Sequence, residues 1–351
     1  MVRIVLRRLF CAVLTSILDP FSGKSMGGYS NAATVDPVTK TRSYAGSAYG
    51  IPALQRPNFH LITEATAQKI LFEETSTGVT ATGVVVSVQD QTKTFNATKE
   101  VILAAGVFNT PKLLELSGIG AKSILEKHGI PVVLDIPGVG ENLQDHLMTG
   151  ISYEVADGVM TGDPLMRQEP EALQLAQSLY FEHKTGPFTI GGMQSHAFMP
   201  VLDFDNPESQ TSQKDLLDKY LPNGDSSEYN SIVRSIMETP NECSAAWFMF
   251  LAQANLHEAG TSFVGSNLMP ENFASLGCAQ SHPFSRGSCH ISSADVNDDP
   301  IIDPRYFSHP ADLELMARHG KIFFDDTPFC QNLMSCSLLK DVRGGIYFKR
   351  G

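Results

Sequence analysis

The stretch EVILAAGVFNTPKLLELSGIGAKSILEKHGIPVVLDIPGVGENLQDH, residues 100–146, decides how this chain is read. Residues 101–105 are continuously apolar and end in small side chains, the pattern of a strand covered on both faces in a parallel α/β sheet. The small Ala104-Ala105-Gly106 end lets another backbone or a ligand approach closely. A helix is expected next, with Thr110 as N-cap, Pro111 at its first position and Gly118 as its stop. AKSILEKHG predicts a second short helix ending at Gly129, and IPVVLDI a further strand. The segment closes on PGVGENLQDH, residues 137–146, which is dense in hydrogen-bonding groups. Two readings stay open for that loop. It faces a ligand, because open α/β sheets bind ligands beyond the carboxyl ends of strands and near helix N-termini. Alternatively, Gly138 and Gly140 permit a tight turn while Asn142 and Asp145 tie off loop amides.

Upstream, the runs HLIT, KILFEE, TGVVVSV and KTFNA are β-branched and separated by turn formers, which predicts a small antiparallel meander. Residues 19–57, rich in Gly, Ser, Thr and Pro, read as an ordered surface loop. The first eighteen residues, MVRIVLRRLFCAVLTSIL, imitate a secretory signal without a small-x-small cleavage site, so secreted and cytoplasmic locations both stay open. Downstream, PEALQLAQSLYFEHKTG has helical spacing with a Gly stop, and 203–229 read as polar loop. SAAWFMFLAQANLH has strand spacing that delivers large apolar groups to one face of a sheet, more in keeping with core than with a substrate pocket. SRGSCHISS and DPIIDPRYFS read as strand and turn, with His290 structural, and PADLELMARHGKI reads as a helix.

The chain has 351 residues, enough for two domains with cores of their own. It is 42% hydrophobic and 18% charged, a globular composition. A formal net charge of −12 without an acidic block disfavours nucleic acid and anionic membrane as partners. No apolar run is long enough for a membrane span. Cys11, Cys243, Cys278, Cys289, Cys330 and Cys336 show neither CxxC nor metal-ligand spacing and suggest scattered thiols. Asn96-Ala97-Thr98 is a lone sequon. There is no GxSxG elbow, and Ser117 at a helix end needs only a capping role, so a Ser-His-Asp hydrolase is disfavoured.

Residues 100–146 resemble the glucose–methanol–choline (GMC) family of flavin-dependent oxidoreductases. That family carries small-small-Gly, Ser/Thr-Pro, Leu-Leu, Ser-Gly-Ile-Gly and then Pro-Gly-Val-Gly-x-Asn-Leu-Gln-Asp-His at this spacing. RSYAGSAYGIPALQRPNFHLIT and HPFSRGSCHISSADVNDDPIIDPRYFSHPADLEL are similar to further family segments. The resemblance implies a mixed α/β (α+β) protein: a partial FAD-binding lobe with a β-meander, and a substrate lobe with an antiparallel sheet and helices. The division it suggests is a divergent segment 1–20, the partial FAD-binding domain 21–150, the substrate domain 151–330 and a divergent tail 331–351.

It also implies FAD as cofactor and oxidation of the CH–OH group of a small-molecule alcohol, with the substrate and the oligomeric state left open. Carried over residue by residue, Ala67 contacts the adenine through its main chain. Ala105 and Gly106 form the small strand end beside the cofactor. Asn142, Asp145 and His146 belong to the loop that closes over the cofactor side. No catalytic residue is assigned, and His146 is expected to be hydrogen-bonded within its own loop.

Two family features are missing from the sequence: the GxGxxG turn that holds the pyrophosphate, and a C-terminal segment with the catalytic His. The expectation is an incomplete family member (a truncated product, an incorrect gene model or a remnant), weakly active or inactive as this chain. The alternative is a non-catalytic binding or interaction protein.

Overall fold

The structure is a computed structural model that describes residues 21, 26–76, 78–193, 195–200, 207–222, 228–239, 242–254 and 268–324. In chain order the elements are β1 (Gly27–Ser30), β2 (Ala65–Thr75), β3 (Gly78–Val88), β4 (Gln91–Asn96), α1 (Gly106–Leu116), β5 (Ile119–Gly120), α2 (Lys122–Lys127), β6 (Leu134–Asp135), β7 (Glu141–Leu143) and β8 (Met148–Glu154). There follow α3 (Asp163–Met166), α4 (Pro170–His183), β9 (Ser195–Met199), α5 (Pro207–Tyr220), α6 (Glu228–Glu238), β10 (Ala245–Phe250), β11 (Phe273–Gln280), β12 (Gly287–His290), β13 (Ile301–Asp303) and α7 (Pro310–Phe324). The chain divides into two compact units, both discontinuous in sequence. One comprises 1–48, 146–284 and 310–351, and the other 49–145 and 285–309.

The first unit is built on a five-stranded antiparallel sheet ordered β1-β9-β10-β11-β8. Strand alternation sends Ala197, Trp247 and Cys278 to one face, and all three are buried. Trp247 meets His319 of α7 edge-on at 6.2 Å. The opposite face carries Tyr29, His196 and Phe248 in register, so β10 places large apolar groups on both faces rather than on one. A second core lies among α5, α6 and α7, where Leu216, Leu217, Leu221, Val233, Met237, Phe284, Ala311 and Leu315 are buried together. Each large aliphatic side chain there stabilises by about 1.5–3 kcal/mol relative to exposure.

Two fully buried carboxylates tie loops to this unit. Asp163 Oδ1 accepts from Gln253 N and Nε2 at 2.8 and 3.0 Å, and its Oδ2 accepts from Thr161 Oγ1 and Phe273 N, both at 2.7 Å. Asp312 Oδ1 accepts from Gln280 Nε2 and Phe284 N, both at 2.8 Å. Saturated acceptors of this kind are what a buried carboxylate requires.

The second unit contains the antiparallel meander β2-β3-β4, the parallel pair β5-β6 and the three-stranded sheet β13-β12-β7. The meander turns one stripe inward, with Ile70 and Val86 buried, and β4 is exposed throughout. It is fastened to α1 by Ser117, whose Oγ donates to Leu113 O at 2.5 Å and accepts from Ile70 N at 2.9 Å. Leu116, Leu125, Ile130 and Ile291 form the unit's small core.

Several expectations change. Residues 101–105 join no sheet among the described residues, and Ile102 is 78% exposed. An apolar run becomes a strand only where neighbouring strands take its amides, and none among the described residues pairs with it. The helix begins at Gly106 with Ala105 as N-cap, so Pro111 sits inside it and not at its start. A helix leaves four amides without intrahelical partners wherever it starts, so starting earlier adds none, and Pro111 removes a single bond. Gly118 does end it, at φ +90°.

IPVVLDI contributes only the two residues of β6, and HLIT forms no strand. Within 19–57 the chain forms β1, an isolated Val35–Arg42 bridge and two short helical segments, Gly46–Gly50 and Ile51–Ala53. The stretch 203–229 is not all loop: α5 occupies much of it, because Gln213, Leu216, Leu217 and Leu221 fall on one helical stripe and are buried. Helix α4 stops at Lys184, which takes the left-handed conformation, and not at Gly186. The signal-like residues 1–18 lie outside the described residues. No described helix is long and apolar enough to cross a membrane.

Candidate functional site

Gly118 and Gly140, in the two short motifs of 117–140, answer to close backbone approaches. A Cβ on Gly118 would lie 2.5 Å from Pro131 O, at a φ of +90° that side chains resist. This packing lets Gly118 O accept from Val133 N at 2.8 Å and Gly120 O from Ile136 N at 2.9 Å, which sets the parallel β5-β6 pair. At Gly140 (φ +79°) a Cβ would meet Cys289 O at 2.4 Å and His290 Nδ1 at 2.6 Å. Gly140 O accepts from Cys289 N at 2.7 Å, and β7 follows at once. Gly138 has nothing within 4 Å of such a Cβ. The turn reading of the 137–146 loop finds support at Gly140, and the end of the loop is sewn to 287–306.

Side chains complete that seam. Glu115, fully buried on α1, accepts from His290 Nδ1 at 2.7 Å through Oε1 and from Ile291 N at 2.8 Å through Oε2. His290 Nε2 lies 3.0 Å from Oε1 of the exposed Glu141. Burial opposes charge on this ring, but the hydrogen bonds and charges of Glu115 and Glu141 outweigh it and hold its pKa above the ordinary value. Tyr306 donates its hydroxyl to Asp145, a bond that pushes the phenol up to about 12. His146 is held differently from expectation: its Nδ1 lies 2.7 Å from Gln280 O, far along the chain and not within its own loop.

The four residues expected at the cofactor all lie in the second unit. Ala105 and Gly106 form an exposed corner at the start of α1, where no side chain caps the helix. Gly106 has φ +86°, with nothing within 4 Å of the place a Cβ would occupy. Ile102, Val107 and Phe108 around it are exposed at 78, 62 and 42%. Free first-turn amides inside an apolar rim suit a group with acceptor atoms and a planar apolar body, which fits part of a flavin nucleotide. Ala67 lies in β2 beside a bulge in its pairing with β3, and β2 packs on α1. Asn142 is exposed on β7 at φ +64°. Helix α1 links these places, since β12, the partner of Asn142's strand, also packs against it.

Sequence reasoning passed over Glu115, Glu141 and Tyr306 and read His290 as merely structural. The available signal was a lone Glu inside the apolar run LLELSG, a charge that burial obliges to find a partner. No group of three or more His, Cys, Asp or Glu that could hold a metal occurs among the described residues.

The chain is similar to known proteins over most of its length. A family model described as GMC oxidoreductase matches residues 16–148. A dehydrogenase of Monascus ruber is 32% identical over 90% of this chain and 53% of its own length. A glucose methanol choline oxidoreductase of Aspergillus terreus is 35% identical over 87% of this chain and 45% of its own length. Among solved structures, an FAD-dependent oxidoreductase from Chaetomium thermophilum superposes with TM-score 0.68 at 27% identity, covering 91% of this chain and 54% of that one. A formate oxidase gives TM-score 0.74 at 23% identity, covering 97% and 55%, a likeness of fold. The chain thus spans about half the length of the curated relatives it matches. Residues 16–148 thus match a GMC oxidoreductase N-terminal domain, and the chain shares the mixed α/β fold of those neighbours.

Proposed function

We propose that this chain carries the substrate lobe and part of the flavin lobe of an FAD-dependent oxidoreductase acting on the CH–OH group of a small-molecule donor. The observation that carries this reading is the open Ala105–Gly106 corner at an uncapped helix start, within the segment that the family model covers. Ala67 would meet the nucleotide through its main chain, Ala105 and Gly106 would admit it closely, and Asn142 would present a side-chain amide on the loop side. When bound, FAD would supply the acceptor for the hydride of the alcohol carbon. The residues here bind and orient, and none is assigned as the base.

Binding by this chain alone is weak in this reading, because the sequence lacks the glycine turn whose amides hold a pyrophosphate. Titration of the purified chain with FAD, followed by flavin fluorescence, tests it. Weak saturable binding that is lost in Gly106→Val is expected. Protein that purifies with a bound-flavin spectrum would overturn the weak-binding part. Absence of any flavin interaction would favour the second reading, a non-catalytic interaction protein, which the exposure of Ile102 and Val107 supports.

A further inference from the structure

Carboxylate oxygens only accept hydrogen bonds, so an imidazole lying between two of them must donate from both nitrogens. His290 lies in that position, 2.7 Å from Glu115 and 3.0 Å from Glu141, and both bonds exist together only in the imidazolium. The two carboxylates differ in freedom. Glu115 is fully buried and also pinned by Ile291 N, whereas the Glu141 side chain is 44% exposed and can turn into water. The strand that carries Glu141 is only three residues long, and its pairing with β12 shifts register between Gly287 and Ser288. The ring also packs against the loop backbone at Gly140.

We propose that His290 is a proton-dependent latch on the 137–146 loop: as imidazolium it ties Glu141 to the buried Glu115, and as neutral imidazole it keeps Glu115 and releases Glu141. The proton that leaves Nε2 goes to solvent, and the lone pair it exposes repels the Glu141 carboxylate. Glu115 on α1 and Glu141 on β7 are the charged groups that act on the ring. Ile301, its register partner on β13, has none. The neighbouring Cys289 thiol is itself raised, by burial and then by Glu115.

Because its pKa is raised in the folded protein, the latch is closed below the ordinary histidine value of about 6.5. It opens as pH rises through the folded value.

Hydrogen exchange of the full chain across pH 5.5–9, corrected for intrinsic rates, tests this without any flavin and so independently of the proposed function. Amides 139–143 are expected to lose protection roughly threefold to tenfold as His290 titrates, read in parallel from its imidazole proton shifts. His290→Arg keeps a permanent cation, so protection should become independent of pH. Glu141→Gln should flatten the pH dependence and move the His290 titration down. A His290 that titrates at or below 6.5 would overturn the latch, and so would an unchanged pH profile of these amides in Glu141→Gln.

Discussion

Replacing Gly140 with alanine should lower the stability of the second unit by about 3–6 kcal/mol. Its φ of +79° is one that a side chain resists, at a cost of about 1–2 kcal/mol. The new methyl would stand 2.4 Å from Cys289 O and 2.6 Å from His290 Nδ1, so β7 and β12 must part. Parting weakens the 2.7 Å bond from Cys289 N to Gly140 O, worth about 1 kcal/mol. It also draws His290 from the buried Glu115, adding about 1–3 kcal/mol for a carboxylate deprived of a donor. Gly138 is the matched control, two residues away with open space around it, and Gly138→Ala should be neutral or stabilising by about 0.5 kcal/mol. The chain's single tryptophan, Trp247, belongs to the first unit. The second unit is therefore followed by hydrogen exchange of the β2 and β3 amides in a urea series. A Gly140→Ala protein within 0.5 kcal/mol of the parent, or a Gly138→Ala protein equally weakened, would refute the steric account.

Acid should weaken the first unit through His319, which is fully buried, with burial pushing its pKa to about 4. Trp247 donates to its Nδ1 at 3.3 Å, so Nε2 carries the proton toward Ser244, and a second proton has no acceptor to face. The stability from keeping this ring neutral is complete above about 6.5 and is lost as pH falls toward 4, roughly 3 kcal/mol in all, as read by Trp247 fluorescence in urea. An His319→Phe protein with the same acid slope would count against this. Asp163→Asn should cost about 2–4 kcal/mol by the same assay, because an amide nitrogen would then face donors that now bond a carboxylate oxygen.

Local chemistry that the backbone can satisfy by itself was legible in the sequence. The meander followed from its β-branched runs, the Gly118 and Gly129 stops from glycine's freedom at positive φ, and α7 from its periodicity. What escaped depended on distant partners. EVILAAG reads as a strand, but whether it is one depends on neighbours that its own residues do not name. Polar α5 hid its buried stripe because only Gln213, Leu216 and Leu217 among its described residues are buried. Ala105 and Gly106 were read as the end of a strand, whereas they open a helix that starts four residues before its expected cap, since Pro111 is tolerated within it. Glu115 and His290 stand 175 positions apart, and no spacing rule joins them.

That separation has a consequence for how the protein is made. A ribosome adding about 5–20 residues per second needs roughly 10–35 seconds to travel from Glu115 to His290. Through that interval α1 has emerged with its interior carboxylate unmatched and its future partner strand untranslated. The nascent meander and helix must wait for residues 285–309, while most of the other unit is synthesised in between. Ribosome-bound chains arrested before Gly287 should therefore be open to chaperones and proteases at 100–146, and those arrested well beyond residue 309 should not.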